Sequence, residues 1–274
     1  MVERFETHNH DSLVLSASHH KTDIEDYFKS ALLRPVTEEE AAFLGQLDLF
    51  FVAFTNRSGS TFLTSLMNGA GFPVPPRAEV FNSDMVINTS RDHDIPSFTD
   101  YFLQLVRGWA AHNIVGFKAG GQQIAWLAET GLLSHLRSLK VVHCRRRDLV
   151  GQAVSFYIAT ETGQWQSLMT PERRPEEVAY DAAAIEECRQ TILRGELAIE
   201  RTLAHCNLLS MDVYYEDCLQ ESGSCLRRAG EFLDCVEWIN PQADNATVEI
   251  EQQRGEVNRA MRQQFLTEFP DTGR

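Results

Sequence analysis

The stretch "FVAFTNRSGSTFLTSL", residues 51–66, decides how the rest of the chain is read. An apolar run ends at Phe54, a small polar loop follows, and a helix-like pattern begins near Ser60. Gly59 permits a tight turn, so the amides from Ser58 to Phe62 point at whatever lies above the helix N-terminus. Orphan N–H groups and the helix dipole make such a place a phosphate cradle. The ATP-type loop G-x-x-x-x-G-K-[ST] carries a lysine directly after its last glycine. Here Ser60 follows Gly59 and the first glycine is also missing, which argues against an ordinary kinase or ATPase loop.

Outward from this loop, short apolar runs alternate with longer amphipathic ones. Strands are predicted at 47–54, 113–118, 139–144 and 208–215, and helices at 60–70, 121–130, 149–162, 179–205, 222–233 and about 247–267. Continuous apolar strands separated by helices predict an α/β fold, a three-layer αβα arrangement with a central parallel sheet. Ligands in such sheets bind at the carboxyl ends of the strands. Residues 72–97, with Pro73, Pro75, Pro76 and Pro96, read as one long loop, and 166–178 as a second. Residues 1–45 read as a helical or partly disordered N-terminal extension, with Ile24, Tyr27, Phe28 and Leu32 at helical spacing, and 46–270 as a single domain.

The composition bounds the partners. A chain of 274 residues with 43% hydrophobic and 23% charged residues folds as a globular protein, and a net charge of -14 argues against nucleic-acid or anionic-membrane partners. Any anionic ligand must therefore meet a local basic cluster. The six cysteines form no C-x-x-C pair and no zinc-site or disulfide spacing, so they read as reduced, mostly buried thiols. The N-terminus is acidic and His-rich rather than basic then apolar, and no apolar run approaches the roughly 18 residues of a membrane span. These features predict a cytoplasmic protein without a membrane span. The pairs His8/His10 and His19/His20 read as a solvated tail rather than a metal site, and no metal is expected.

The local basic cluster lies in "VVHCRRRDLVGQAVSFY", residues 141–157, where a strand ends in three arginines and a helix follows. Adjacent like charges repel, which favours a nearby anion, and the arginine fork suits phosphate. A solvated basic corner paired with surface carboxylates is the alternative. Taken together, "TNRSGST" and "RDLVGQAVS" resemble the sulfotransferases that use 3′-phosphoadenosine 5′-phosphosulfate (PAPS). In that superfamily a loop [PT]-x-[KR]-[ST]-G-[ST]-T wraps the 5′-phosphosulfate. An arginine after a later strand and a serine eight residues on hold the 3′-phosphate. The resemblance assigns Arg57, Ser58, Gly59, Ser60 and Thr61 to the first role and Arg147 with Ser155 to the second, with Arg145 or Arg146 as alternatives for the arginine.

"RRRDLVGQAVSFYIATETGQW" narrows the resemblance to bacterial carbohydrate sulfotransferases of the trehalose 2-sulfotransferase type, over about residues 48–267. "PPRAEVFN" and the triplet Tyr215, Glu216 and Asp217 echo further elements of that family, whereas Asn56 stands where it usually has proline. The resemblance implies a P-loop-like sulfotransferase fold, PAPS as donor, and a small-molecule or glycan acceptor. It also implies Glu79 as the base that takes the acceptor proton, and the family includes dimers, so a homodimer is possible. Sulfuryl transfer moves a group less charged than phosphoryl, which accords with a loop lacking the lysine and a metal-binding acid.

Arg57 is suited to stabilise charge on the leaving 5′-phosphate. Lys118, ending "IVGFK", reaches either the reacting groups or solvent, and Trp165 either stacks on a sugar or adenine or packs internally. His112 and His135 are rival bases, His143 reads as a core histidine, Arg254 as a solvated helical arginine, and Tyr215–Asp217 as a cap on the next segment. The formal sequon "NRS" at 56–58 lies in the phosphate cradle, where a glycan is incompatible with function, in keeping with a cytoplasmic protein. Two other functions compete: a small-molecule kinase using ATP and Mg²⁺, and an inactive module that binds PAPS or its product.

Overall fold

The computed structural model describes residues 15–165, 169–240 and 255–273. Strands β1 (Asp48–Phe54), β2 (Ile114–Ala119), β3 (Ser138–Arg145) and β4 (Leu209–Tyr214) form a parallel sheet in the order β2-β1-β3-β4. The predicted strands therefore hold to within a residue or two. The chain leaves β1 to one side and returns to pair β3 on the other. Such a reversal of order opens a crevice at the carboxyl ends of β1 and β3.

Alternation along β1 explains the layers. Leu49, Phe51 and Ala53 enter one core, shared with α5 (Phe98–Trp109) and α6 (Gly121–Glu129). Phe50 and Val52 enter the other, against α3 (Ser60–Gly69) and α10 (Ser222–Phe232). A third cluster joins α7 (Leu149–Thr162), α8 (Ala182–His205) and α11 (Glu256–Glu268). Helix α7 buries residues around most of its circumference, and α8 presents Ile185, Ile192 and Ile199 as a seven-residue stripe.

Several expectations are corrected. Helix α1 (His19–Phe28) and helix α2 (Glu38–Leu44) place Ile24, Phe28 and Leu44 in the first core. His20 is accordingly no part of a solvated tail: its Nδ1 accepts from the Ser83 amide at 3.1 Å. His8 and His10 lie outside the described residues. The segment 72–97 is not one loop, because it contains α4 (Ser83–Asp92). That helix buries Ser83, Val86 and Ser90, so two of its three inward residues are small and polar and its apolar period is faint. Helix α5, absent from the predicted set, is capped by Ser97 and buries Phe98, Tyr101, Phe102, Leu103 and Val106.

Cys218 and Cys225 are joined as a disulfide with Cα atoms 5.4 Å apart, against the expectation of six thiols. The turn from α9 (Tyr215–Gln220) directly into α10 folds this seven-residue separation back on itself. The other four cysteines are free, three of them buried. The predicted helix 247–267 is found as α11, and 247–254, with Arg254, lies outside the described residues. Of the second predicted loop, 166–168 lie outside them too.

Candidate active site

The loop between β1 and α3 is shaped by Gly59, whose φ of +94° falls in the left-handed region. A Cβ there would lie 2.3 Å from Tyr215 Cδ2, so both the conformation and the space demand glycine. Tyr215 in turn meets Phe62 edge-on, with ring centroids 5.6 Å apart. The first amides of a helix lack intrahelical acceptors, which here leaves those from Gly59 to Phe62 facing the crevice. Ser58 departs from its predicted part: its amide is committed to Thr55 O at 3.1 Å and its side chain is buried.

Arg57 follows with φ of 62°, an unusual conformation for a residue with a Cβ. Its Nε donates to Ser155 Oγ at 3.0 Å, and another guanidinium nitrogen donates to the Trp165 carbonyl. Burial, and then the neighbouring Arg146, pull its pKa down to about 10. Arg146 donates to the Arg57 carbonyl at 3.2 Å and stands 5.6 Å from the Tyr215 ring centroid. Two guanidiniums drawn together in a half-buried place form a site whose energy an anion lowers.

The three-arginine run is split by its surroundings. Arg145, on β3, faces Glu196 at 3.2 Å, Asp212 at 3.3 Å and Glu200 at 3.4 Å. Arg147 forks onto Asp217 and lies 4.0 Å from the Tyr214 ring centroid, half exposed. Ser155 is bonded to Arg57, Arg147 is turned to Asp217, and Arg146 is the member of the run that reaches the loop after β1. Glu216 fixes the turn by accepting from the amides of Arg147 and Asp148 at 3.1 and 3.3 Å. Glu216 and Asp217 thus anchor the arginine turn from the first turn of α9, a larger task than capping the next segment.

On the opposite side of the loop, Lys118, next to last in β2, has a wholly buried side chain. Its Nζ donates to Thr61 Oγ1 at 3.0 Å and to Glu79 Oε1 at 3.1 Å, and lies 4.6 Å from the Phe54 ring centroid. Lys118 therefore turns inward and joins Glu79 to the phosphate loop. Glu79 Oε2 accepts from Asn82 Nδ2 at 2.9 Å, and a third of the Glu79 side chain remains exposed. Trp165 is exposed at the rim, tilted against Phe156 at 5.9 Å. Its indole is thus available to a flat ligand beside Arg57.

The rival bases fall elsewhere. His112 and His135 precede β2 and β3, at the end of the sheet remote from the loop, and His112 stacks on Trp238. His143 is buried in β3 as expected, yet it is more than filler. Its ring nitrogens face Glu196 at 3.3 Å and Asp212 at 3.5 Å, while Glu196 accepts from Thr55 at the base of the loop at 2.9 Å. Burial works to raise the Glu196 pKa, but His143, Thr55 and Arg145 outweigh it and hold the carboxyl below its ordinary value. Neither this network nor Arg262, which donates to Asp148 at 2.9 Å and ties α11 to the arginine turn, was legible in a local pattern. Among the described residues, no group of three or more His, Cys, Asp or Glu side chains is arranged to hold a metal ion, and no helix is long and apolar enough to cross a membrane.

A helix N-terminus opening on the crevice of a parallel sheet, after its first strand, defines the P-loop-like class of phosphate-holding α/β proteins. Within that class, residues 133–266 match the profile of the family described as Stf0 sulphotransferase. That stretch, just under half of the chain, is similar to a family that includes trehalose 2-sulfotransferase, and the chain reads as an enzyme, a sulfotransferase. The matched stretch holds the arginine turn and Ser155, whereas Arg57 and Glu79 lie upstream of it. Among solved structures, the sulfotransferase domain from the Synechococcus PCC 7002 olefin synthase is similar to this chain at 12% identity, over 85% of this chain and 98% of that one, with a TM-score of 0.39. No match was found among curated proteins.

Proposed function

We propose that this sulfotransferase moves the sulfuryl group of PAPS to a hydroxyl of a carbohydrate or glycolipid acceptor. Residues 46–270 act as the catalytic domain, in the cytoplasm. The observation that carries the reading is Lys118. One buried ammonium contacts both Thr61 in the phosphate loop and Glu79 across the crevice, which brings an anion cradle and a carboxylate within reach of one transferring group.

The geometry supports the following roles. The amides from Gly59 to Phe62 receive the 5′-phosphosulfate, with Ser60 and Thr61 adding hydroxyls. Ser155 and Arg146 hold the 3′-phosphate, Arg147 remaining the alternative that requires release from Asp217. Glu79 takes the acceptor proton as the new O–S bond forms and the bond from sulfur to the 5′-phosphate oxygen breaks, a positioned base being worth about 10²- to 10⁴-fold. Arg57 faces the charge that grows on the leaving phosphate, and Lys118 keeps Glu79 beside the transferring group. The product nucleotide is 3′-phosphoadenosine 5′-phosphate (PAP).

Incubation with ³⁵S-labelled PAPS and a panel of sugars and glycolipids, trehalose included, is expected to give a labelled acceptor. Thermal-shift titration adds an independent arm, with stabilisation expected from PAP. Stabilisation by ATP with Mg²⁺ and none by PAP would replace the reading with a kinase. PAP binding without transfer to any acceptor would replace it with an inactive module.

A further inference from the structure

Asn82 is the N-cap of α4, the position where asparagine ordinarily accepts from an amide within the first turn. Its side chain makes no capping bond. Instead Nδ2 donates to Glu79 Oε2 at 2.9 Å, and Oδ1 accepts from Gln123 Nε2 at 2.9 Å. A first-turn amide left over at α4 is met from another element, since Ser83 N–H donates to His20 Nδ1 at 3.1 Å. The cap has thus been supplied from α1 while Asn82 serves Glu79.

The chain of bonds has one possible direction. The Gly120 amide, just before α6, donates to Gln123 Oε1 at 2.8 Å. A backbone amide only donates, so the Gln123 carboxamide must turn its oxygen to Gly120 and its NH₂ to Asn82. Asn82 must then turn its oxygen to Gln123 and its NH₂ to Glu79. Gln123 is 7% exposed and cannot exchange these bonds readily for water. At the other oxygen of Glu79 stands Lys118, at 3.1 Å. The two carboxylate oxygens are therefore gripped from opposite sides, and the carboxylate plane is fixed.

We infer that Asn82 and Gln123 are positioning residues for Glu79. They carry the orientation of a helix-terminal amide through two carboxamides to the carboxylate, holding it in one rotamer and leaving its remaining lone pairs for the acceptor hydroxyl. This rests on the reading of Glu79 as the base. Two side chains with no contact to donor or acceptor thereby set the line along which the proton leaves.

The full chain labelled with carboxyl-¹³C glutamate tests this, the Glu79 signal being identified by its loss in Glu79→Gln. A carboxylate gripped at both oxygens gives one sharp signal, and Asn82→Leu, which removes the donor to Oε2, is expected to displace and broaden it at neutral pH. Gln123→Met, which touches Glu79 nowhere, is expected to displace it less and in the same direction, and the double variant to move it no further than Asn82→Leu alone. Gln123→Glu keeps the bond from Gly120 but has no N–H for Asn82, so it is expected to act as Gln123→Met does. A Glu79 signal unmoved by both Gln123 variants overturns the inference. Transfer from labelled PAPS supplies the second arm: Glu79→Gln retaining full transfer refutes the base reading even where the signal displacements are found, so the two failures are distinct.

Discussion

The carboxyl edge of the sheet holds ion pairs, as the N-terminal edge does, but it also sets two cations side by side. At the N-terminal edge, Asp48 accepts from Arg137 and, at 2.6 Å, from Ser138, while Lys140 pairs with Asp234. Burial alone works to raise the Asp48 pKa, but Arg137 and Ser138 hold it below its ordinary value, and Asp48 in turn holds Arg137 above its own. At the carboxyl edge, Arg57 is drawn down to about 10 by burial and by Arg146. Opposite charges brought together satisfy one another and support the fold. Like charges brought together cost stability unless a ligand completes them, which is the arrangement a binding edge requires.

This contrast can be broken first where its effect is largest. Arg57→Ala is expected to cut transfer by roughly 10²- to 10³-fold while the melting temperature holds or rises, because a strained cation is removed. A variant that unfolds instead would make Arg57 a structural residue like Arg137. Next comes the division within the arginine run. Arg146→Ala is expected to weaken PAP binding, measured by calorimetry, by roughly 10- to 150-fold, corresponding to a charged hydrogen bond of about 1.5–3 kcal/mol. Arg147→Ala, which removes an exposed ion pair, is expected to cost about fivefold or less. The reverse order would return the 3′-phosphate to Arg147.

The pH dependence sharpens the same point. Bound anion favours protonated Arg57, so PAP affinity is expected to be level between about pH 7, above the second phosphate pKa, and pH 10, and to fall as the pH rises through about 10. Affinity level to pH 11 would show that burial and Arg146 do not draw the Arg57 proton off in this range. The smallest effect belongs to the other edge. Asp48→Ala is expected to lower stability to urea by about 1 kcal/mol or less and to leave PAP affinity unchanged.

Much of the architecture was legible because its signals are local. Strands β1 and β2 are largely continuous apolar runs, β3 holds a shorter one and β4 alternates, and the turn at Gly59 is announced by small residues between a strand and a helix. The reading failed where burial and local pattern part company. Helix α4 packs inward through Ser83, Val86 and Ser90, which shows no clear apolar stripe. Cys218 and Cys225 carry no motif, and only the sharp turn between two helices brings them together. Asn82 looked like any polar residue of a loop, and its partners Glu79 and Gln123 come from a neighbouring turn and from a helix 41 positions away.

By itself, then, the sequence determined the alternation of strand and helix, the tight turn at Gly59 into a helix and the gathering of cations near it, since periodicity, glycine and charge are properties of neighbouring residues. Only the tertiary structure decided what each cation does. Arg145, Arg146 and Arg147 are chemically identical and adjacent, and nothing in their own stretch distinguishes them. Their surroundings are set by acids that arrive from α8, β4 and α9, far along the chain: Glu196 and Asp212 meet Arg145, Asp217 meets Arg147, and Arg146, with Glu216 at 4.0 Å, reaches the Arg57 carbonyl in the loop after β1.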